Sequence, residues 1–563
     1  MTSKLRHLLL GMLLAGLCAK PAIARSSLDM MITGGQVYTM PPDTVIGITD
    51  GKFSYLGPSE DAQSLVTATT EHIDAQGSAI YPGFIDLHTH LFDTIGFEKV
   101  ACKLDLAAET VSIGACRQTA ATLSQGQWLI GFAQGLLTID LDGLTPREWL
   151  DAHFTQTPVV ISEPHSSVIW MNSVALSLMK ITKHSVDPIG GKIIRTAENI
   201  ASGIVLGSLS ELVLEEALKT YPLDMPKVLS RFGTLSLELQ RLGITSIGES
   251  GGFWCGGGMK FWEEISQQYN QGLRLSVRPR LSPFKGVNDQ LAQLRHMYRN
   301  DLNARYLLNQ VKINVDGQYR LGTARLSYPY HEPAVKSEPN GLFYFTPTEL
   351  NSWLMRLKEI GFSAYIHAEG DSAVEASLYS IQNARRNSDD QRFTVTGMQF
   401  IKPVQYPLFN ELGVTVNFLF NAAEDAELAH SATNHAKVVS VKALEKFSTS
   451  IALSSGGIGA QYVSPLERIS ENLQQPERYA LNDIHKAIES YTIEPAKSLG
   501  IESVTGSIVI GKSADLAFVD KDLTKLNAEQ IAKSTVLMTM LQGEITFVHE
   551  KMKSVNQTTN SLF

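Results

Sequence analysis

No dense run of lysine or arginine occurs anywhere in the 563 residues, and acidic residues outnumber basic ones, 57 to 48, for a formal net charge of -9. The electrostatic footprint of a nucleic-acid binder is therefore absent, and the expected partner is a small molecule. Cysteine is scarce: Cys18, Cys102, Cys116 and Cys255 are the only four. So few thiols in so long a chain exclude a disulfide scaffold. Low-complexity tracts and short internal repeats are also missing, which excludes solenoids and fibrous folds. What is present is ordinary for a globular chain, with 44% hydrophobic and 19% charged residues, against the biased compositions of disordered or collagen-like proteins. At roughly 150 residues per domain, the length suits three or four units.

The N-terminus lacks the roughly 20 apolar residues that span a bilayer. Leu8–Leu17 is only about ten residues long, follows Lys4, Arg6 and His7, and precedes Ala22-Ile23-Ala24, a small-x-small cleavage pattern. This predicts a signal peptide over residues 1–24, no stable membrane anchor, and export to the periplasm or the medium. Leu17 stands before Cys18 where a lipid-attachment signal needs a small residue. Cleavage leaves Cys102, Cys116 and Cys255, which allow at most one internal disulfide, with Cys102–Cys116 the nearer pair.

Both ends of the mature chain are built from short β-like runs. Residues 31–82 alternate such runs with turn signals, among them Asp50-Gly51, a two-residue hairpin signature. The same texture returns in Gly506–Ile510, Asp515–Asp520 and Val536–His549, the last with a Gln542-Gly543 turn. Between them the grammar changes to apolar β-branched runs alternating with helical patterns: Pro158–Ser162, Thr245–Gly248, Gln310–Val315, Ser363–His367, Val414–Leu419 and Ser450–Leu453. Repeated strand–helix units imply a parallel sheet, open or closed into a barrel. The tail over residues 551–563 is polar and expected to fray.

The sharpest local feature is Tyr81-Pro82-Gly83-Phe84-Ile85-Asp86-Leu87-His88-Thr89-His90. Alternation along a strand points His88 and His90 the same way, which makes either a metal-binding pair or two half-buried histidines satisfied by hydrogen bonds. Along Gln310–Asp316, Lys312, Asn314 and Asp316 share the polar face. A buried lysine there calls for a lowered pKa, a carboxylate partner such as Asp316, or conversion to a carbamate that bridges metal ions. His367 closes a β run at the end where barrels keep their chemistry, and Asp371 is placed to cap the next helix.

Together these residues resemble the amidohydrolase superfamily, and within it the amidohydrolase-3 subgroup that includes N-substituted formamide deformylases. Further markers are Trp128–Phe132, Leu144–Arg147, His165 followed by Asn172–Leu176, Asp316-Gly317, Tyr491–Ala496 and Gly506–Leu516. The resemblance implies an α/β fold: a (β/α)8 TIM barrel over residues 83–503, a β-sandwich composed of residues 28–82 and 504–550, and an insertion after the first barrel strand at about 105–225. It implies divalent metal, usually zinc, held by His88, His90, a carboxylated Lys312 and His367, with His165 and Asp316 near the substrate. The implied chemistry is hydrolysis of a carbon–nitrogen bond in a small amide or cyclic amide by metal-activated water.

Two positions depart from that pattern. Gly397 stands where the sixth barrel strand of the family carries a histidine ligand, and Ser455 where the eighth carries the aspartate that shuttles the proton. One ion is therefore expected rather than two. The alternative function is a binding or regulatory protein on the same barrel. Candidate replacements are Glu249, Glu369, Glu424, Asp425, His430 and His435. A hydrolase needs a base in reach of the reacting water, so Glu249 or another acid is expected within about 5 Å of the His88/His90 centre. The sequence specifies neither the substrate nor the oligomeric state.

Overall fold

The computed structural model describes residues 27–91, 101–104, 113–163, 167–222, 224–251, 264–267, 272–331, 333, 335–386, 391–419, 437–457, 462–475, 480–481 and 483–552. Residues 1–24, Cys255, His165, Glu424, Asp425, His430 and His435 lie outside that set.

Eight parallel strands carry the middle of the chain: β1 (Phe84–Thr89), β2 (Ile244–Glu249), β3 (Arg274–Val277), β4 (Gln310–Asn314), β5 (Ser363–His367), β6 (Phe393–Thr396), β7 (Val414–Phe418) and β8 (Ser450–Leu453). Strands β1 to β3 pair in order, as do β4 to β8. Backbone hydrogen bonds close both seams. Lys312 N–H donates to Pro279 O and Leu281 N–H to Lys312 O, both at 2.9 Å, while Gly456 N–H donates to His88 O at 3.1 Å and His90 N–H to Gly457 O at 3.2 Å. The ring is the expected (β/α)8 barrel. All five residues of β7 are buried, with Val414, Val416 and Phe418 on one face and Thr415 and Asn417 on the other.

Local sequence sets the crossover helices. Thr346 and Glu349 form a capping box, with proline at the first turn, to start the helix Pro347–Glu359. Thr145 and Glu148 do the same for Pro146–His153, which gives the Leu144–Arg147 marker a physical reason. Asp371 does not cap its helix. The cap position is Gly370, and Asp371 instead accepts from Ser327 N–H at 2.9 Å and from the Ser327 hydroxyl.

Between β1 and β2 lies a six-stranded sheet, in spatial order Gly191–Arg195, Ala201–Gly207, Val168–Met171, Val159–Ser162, Leu129–Phe132 and Ala101–Lys103. The run Pro158–Ser162 thus serves this sheet rather than the barrel. Cys102, on the edge strand, forms a disulfide with Cys116 on the helix Gly114–Ala120.

The chain ends meet in two further sheets. Val45–Thr49 and Lys52–Gly57 pair as a hairpin through Asp50 and Gly51, at φ +52° and +69°. Both residues take positive φ, which suits a turn matching the strand twist. Gln542 and Gly543, at φ +52° and +75°, turn the hairpin of Val536–Leu541 and Glu544–Val548. Residues of both chain ends, including Ile32, Phe53, Ile80, Leu516, Phe518 and Met540, share one apolar core. Gly506–Ile510 forms no strand: Ile508 is buried there while Val509 and Ile510 face solvent. Arg274 of β3 and Asp515 form a fully buried ion pair at 2.6 Å that ties the barrel to the terminal sheets. Among the described residues no helix is long and apolar enough to cross a membrane.

Candidate metal centre

Along β1 and just past it, Asp86, His88 and His90 fall on one face by strand alternation. At the strand end, where the barrel mouth opens, His88 Nε2 and His90 Nε2 stand 3.0 Å apart. Burial, reinforced by the basic groups of Lys312, His90 and Arg278 nearby, pushes the His88 imidazole well below its ordinary pKa. It is therefore neutral at pH 7 and offers a lone pair. Tetrahedral zinc with Zn–N bonds of about 2.0–2.1 Å holds two nitrogens roughly 3.4 Å apart, so the pair needs little rearrangement to accept one ion.

Lys312 of β4 is buried, with Nζ 4.8 Å from the centre of the Tyr365 ring. Burial first, and then the guanidiniums of Arg280 and Arg278, hold its pKa well below that of an ordinary ammonium. The neutral amine so favoured is the form that can take up carbon dioxide as a carbamate. The Lys312–Asp316 ion pair that the sequence allowed does not form. Asp316 spends its carboxylate on backbone donors, Glu369 N–H and Gly370 N–H at 2.9 Å and Arg325 N–H at 2.8 Å, and so fastens the loops after β4 and β5 together.

His367 ends β5. Burial, then Lys312 and Arg280, bring its pKa down to about 3. Glu369 Oε1 lies 3.5 Å from its Nε2, and Glu369 Oε2 accepts from Tyr319 N–H at 2.7 Å. Gly397 explains the ring's position. A Cβ built there would lie 2.4 Å from His367 Cε1 and 2.6 Å from Nδ1. The imidazole occupies the volume that any side chain on the sixth strand's end would need.

Glu249 is buried at the end of β2, and its Oε2 accepts from Leu91 N–H at 3.1 Å and Thr89 Oγ1 at 3.3 Å. It braces the residues on either side of His90, Thr89 through its hydroxyl and Leu91 through its backbone N–H. Ser455 Oγ accepts from Gly457 N–H at 2.9 Å, and Ser455 N–H donates to Asp86 Oδ1 at 3.3 Å. Asp86, within the Tyr81–His90 motif, joins the site with no signal of its own in the sequence. It is fully buried, accepts also from His88 N–H at 3.2 Å and from the Tyr462 hydroxyl, and burial raises its pKa. Tyr365 joins the site as well: its hydroxyl lies 2.8 Å from His88 Nδ1. Strand alternation puts it on the face of His367, but nothing in the sequence marks a tyrosine as a histidine's partner.

His88, His90, Lys312 and His367 act on one another electrostatically and cluster at one mouth. Among the described residues no three His, Cys, Asp or Glu side chains form a metal-sized group, so an ion on the histidine pair would need a further donor, for which the buried Lys312 is the candidate. By donor count the residues fit one ion.

The profile of the amidohydrolase family matches residues 71–547. The chain is 21% identical to the N-substituted formamide deformylase of Arthrobacter pascens, covering 92% of this chain and 98% of that one. It is also 21% identical to the protein LONG AFTER FAR-RED 3 of Arabidopsis thaliana, over 92% and 91% of the two chains. Among solved structures, a metal-dependent hydrolase from Pyrococcus furiosus, itself uncharacterized, superposes with a TM-score of 0.60 at 20% identity, over 88% of this chain and 100% of that one.

Proposed function

This chain belongs to the amidohydrolase family, and from that premise we propose that it hydrolyses carbon–nitrogen bonds of small amide or cyclic-amide substrates with one divalent metal ion, zinc by ligand type. The observation that carries the reading is the His88/His90 pair: two Nε2 atoms 3.0 Å apart, with His88 held neutral, at the mouth of the barrel. Bound by His88, His90 and a carboxylated Lys312, such an ion would supply Lewis acidity, polarising a substrate carbonyl and acidifying water.

The remaining work falls to the chain's own residues. Glu369 Oε1 is the carboxylate that takes and returns a proton, in place of the aspartate that Ser455 has displaced; it faces His367 Nε2 at 3.5 Å. His367 stays neutral at working pH, so its Nε2, 3.5 Å from Glu369 Oε1, can orient that carboxylate without exchanging a proton with it. Asp316 holds the loop that carries Glu369 against the loop after β4 through its three backbone contacts. Glu249 keeps the backbone beside His90 from drifting. His165 belongs to the substrate's surroundings in this reading. Residues 1–24 direct the chain out of the cytoplasm, and the Cys102–Cys116 disulfide is in keeping with an oxidising destination.

A second reading, a binding or regulatory protein that keeps the barrel and has lost turnover, is favoured by Ser455, whose hydroxyl is engaged with Gly457 N–H and is a poor base. A screen of formamides, N-acyl amines and cyclic amides with the zinc-loaded protein decides between them. Hydrolysis that is lost in Glu369→Gln while zinc is retained supports the first. Tight substrate binding without turnover in the wild type supports the second.

A further inference from the structure

The inserted sheet sends one carboxylate to the barrel mouth. Its strand Ala201–Gly207 runs into the helix Ser208–Leu218, and Glu211 lies in the first turn of that helix. Glu211 Oε1 accepts from Asn314 Nδ2 at 3.0 Å and meets Arg280 Nη1 at 2.8 Å. Both partners stand beside residues read as ligands: Arg280 pairs with Lys312 across the seam between β3 and β4, and Asn314 pairs with His367 between β4 and β5. Asn314 also follows Lys312 by two residues on the same strand face. The carboxylate is therefore held at a level roughly 7 Å, two strand residues, outward of Lys312.

Two contacts on one carboxylate oxygen leave the other unengaged. Among the described residues no donor meets Glu211 Oε2, and the side chain is 12% exposed, so this oxygen is open to what enters the mouth. Arg280 is differently placed, with Nη1 on Glu211 and Nη2 donating to Gly251 O at 3.0 Å. A substrate anion would have to break that ion pair to reach the guanidinium, whereas a substrate donor meets an acceptor that is already oriented. Because Oε1 is fastened twice, the side chain has lost its rotamer freedom before any ligand arrives. A charged donor is favoured over a neutral one, since N–H bonds between ionised partners are roughly twice as strong.

We infer that Glu211 is a specificity-determining residue: its Oε2 receives an ammonium group that the substrate carries a few bonds from the scissile carbonyl. The substrate class is then amides that also bear a primary amine. The inference rests on the hydrolase reading above, which places the carbonyl at the histidine pair.

The test compares matched probes on the zinc-loaded mature chain: N-(3-aminopropyl)formamide against N-butylformamide, in which a methyl replaces the ammonium, and the two corresponding acetamides. Each is measured for binding by calorimetry and for kcat/KM. The expected result is an ammonium-over-methyl preference of about 10–100-fold in wild type, falling to near one in Glu211→Gln. Glu211→Asp keeps the charge and withdraws it by one methylene, so its preference moves to N-(4-aminobutyl)formamide, a shift that general damage to the rim does not produce. If Glu211→Gln does not fold, the wild-type ratio and Glu211→Asp carry the test. Equal binding and equal kcat/KM within each pair, or a preference that survives in Glu211→Gln, overturns this inference, and turnover of any probe then leaves the hydrolase reading standing. Ammonium-selective binding lost in Glu211→Gln, with no probe turned over, supports the role of Glu211 and counts against hydrolysis. A wild type that binds no probe overturns the inference as well.

Discussion

Restoring the residue that the family carries on its sixth strand will not restore a ligand, because His367 stands in its place. Gly397 has φ +80°, and a Cβ there would approach His367 Cε1 to 2.4 Å. In Gly397→Ala the left-handed backbone costs about 1–2 kcal/mol. Forcing the imbedded ring aside costs about 1–3 kcal/mol more, as overpacking does elsewhere. For a barrel of roughly 400 residues the unfolding entropy is on the order of 0.8 kcal/mol per kelvin, so a total of about 2–5 kcal/mol lowers the melting temperature by roughly 2–6 °C. Gly397→His, with a larger side chain in the same volume, falls at least as far. Differential scanning calorimetry of the metal-free variants reads the loss, and zinc titration reads the ligand. Gly397→Ala melting within about 1 °C of wild type, or Gly397→His gaining a second tightly held zinc, would refute the packing argument.

Stability should fall with acid in a window set by the depressed histidines. His367 titrates near 3 in the fold against about 6.5 unfolded, so between those values the unfolded chain binds the extra proton and stability rises with pH. Each such group contributes a slope of up to about 1.4 kcal/mol per pH unit. Denaturant melts of the metal-free protein at pH 5.0, 5.8 and 6.6 should show a rising slope that flattens in His367→Gln; an unchanged slope in that variant contradicts the assignment. Opening the Cys102–Cys116 bridge, which closes a loop with a sequence separation of 14, should cost about 3 kcal/mol. The loss should appear in Cys116→Ser as earlier proteolysis of the six-stranded sheet, with barrel melting little changed; coincident loss of both would show that the two parts unfold together.

Much of the barrel was legible because its strands carry β-branched apolar residues at alternate positions, as Val311 and Ile313 do in Gln310–Asn314 and Val414 and Val416 do in Val414–Phe418. Hairpin turns at Asp50-Gly51 and Gln542-Gly543 were legible for a local reason, the positive φ that both residues take. Pro158–Ser162 carries the same apolar signature and yet belongs to the inserted sheet, since periodicity reports burial and not which sheet a strand joins. At the site, the histidine pair was visible from spacing alone. The carboxylate of Asp316 is taken by three amides, that of Arg325 nine positions on and those of Glu369 and Gly370 53 and 54 positions on, which no local pattern announces. Tyr365 was invisible for the same reason: its role exists only through a contact across 277 positions of chain.

The most direct test of the central claim is zinc content by elemental mass spectrometry, on mature protein produced with zinc available and dialysed without chelator, beside His88→Ala/His90→Ala. The account predicts close to one equivalent in the wild type and none in the double variant. A wild type without zinc, or a double variant that keeps it, would contradict the claim that this histidine pair holds the metal.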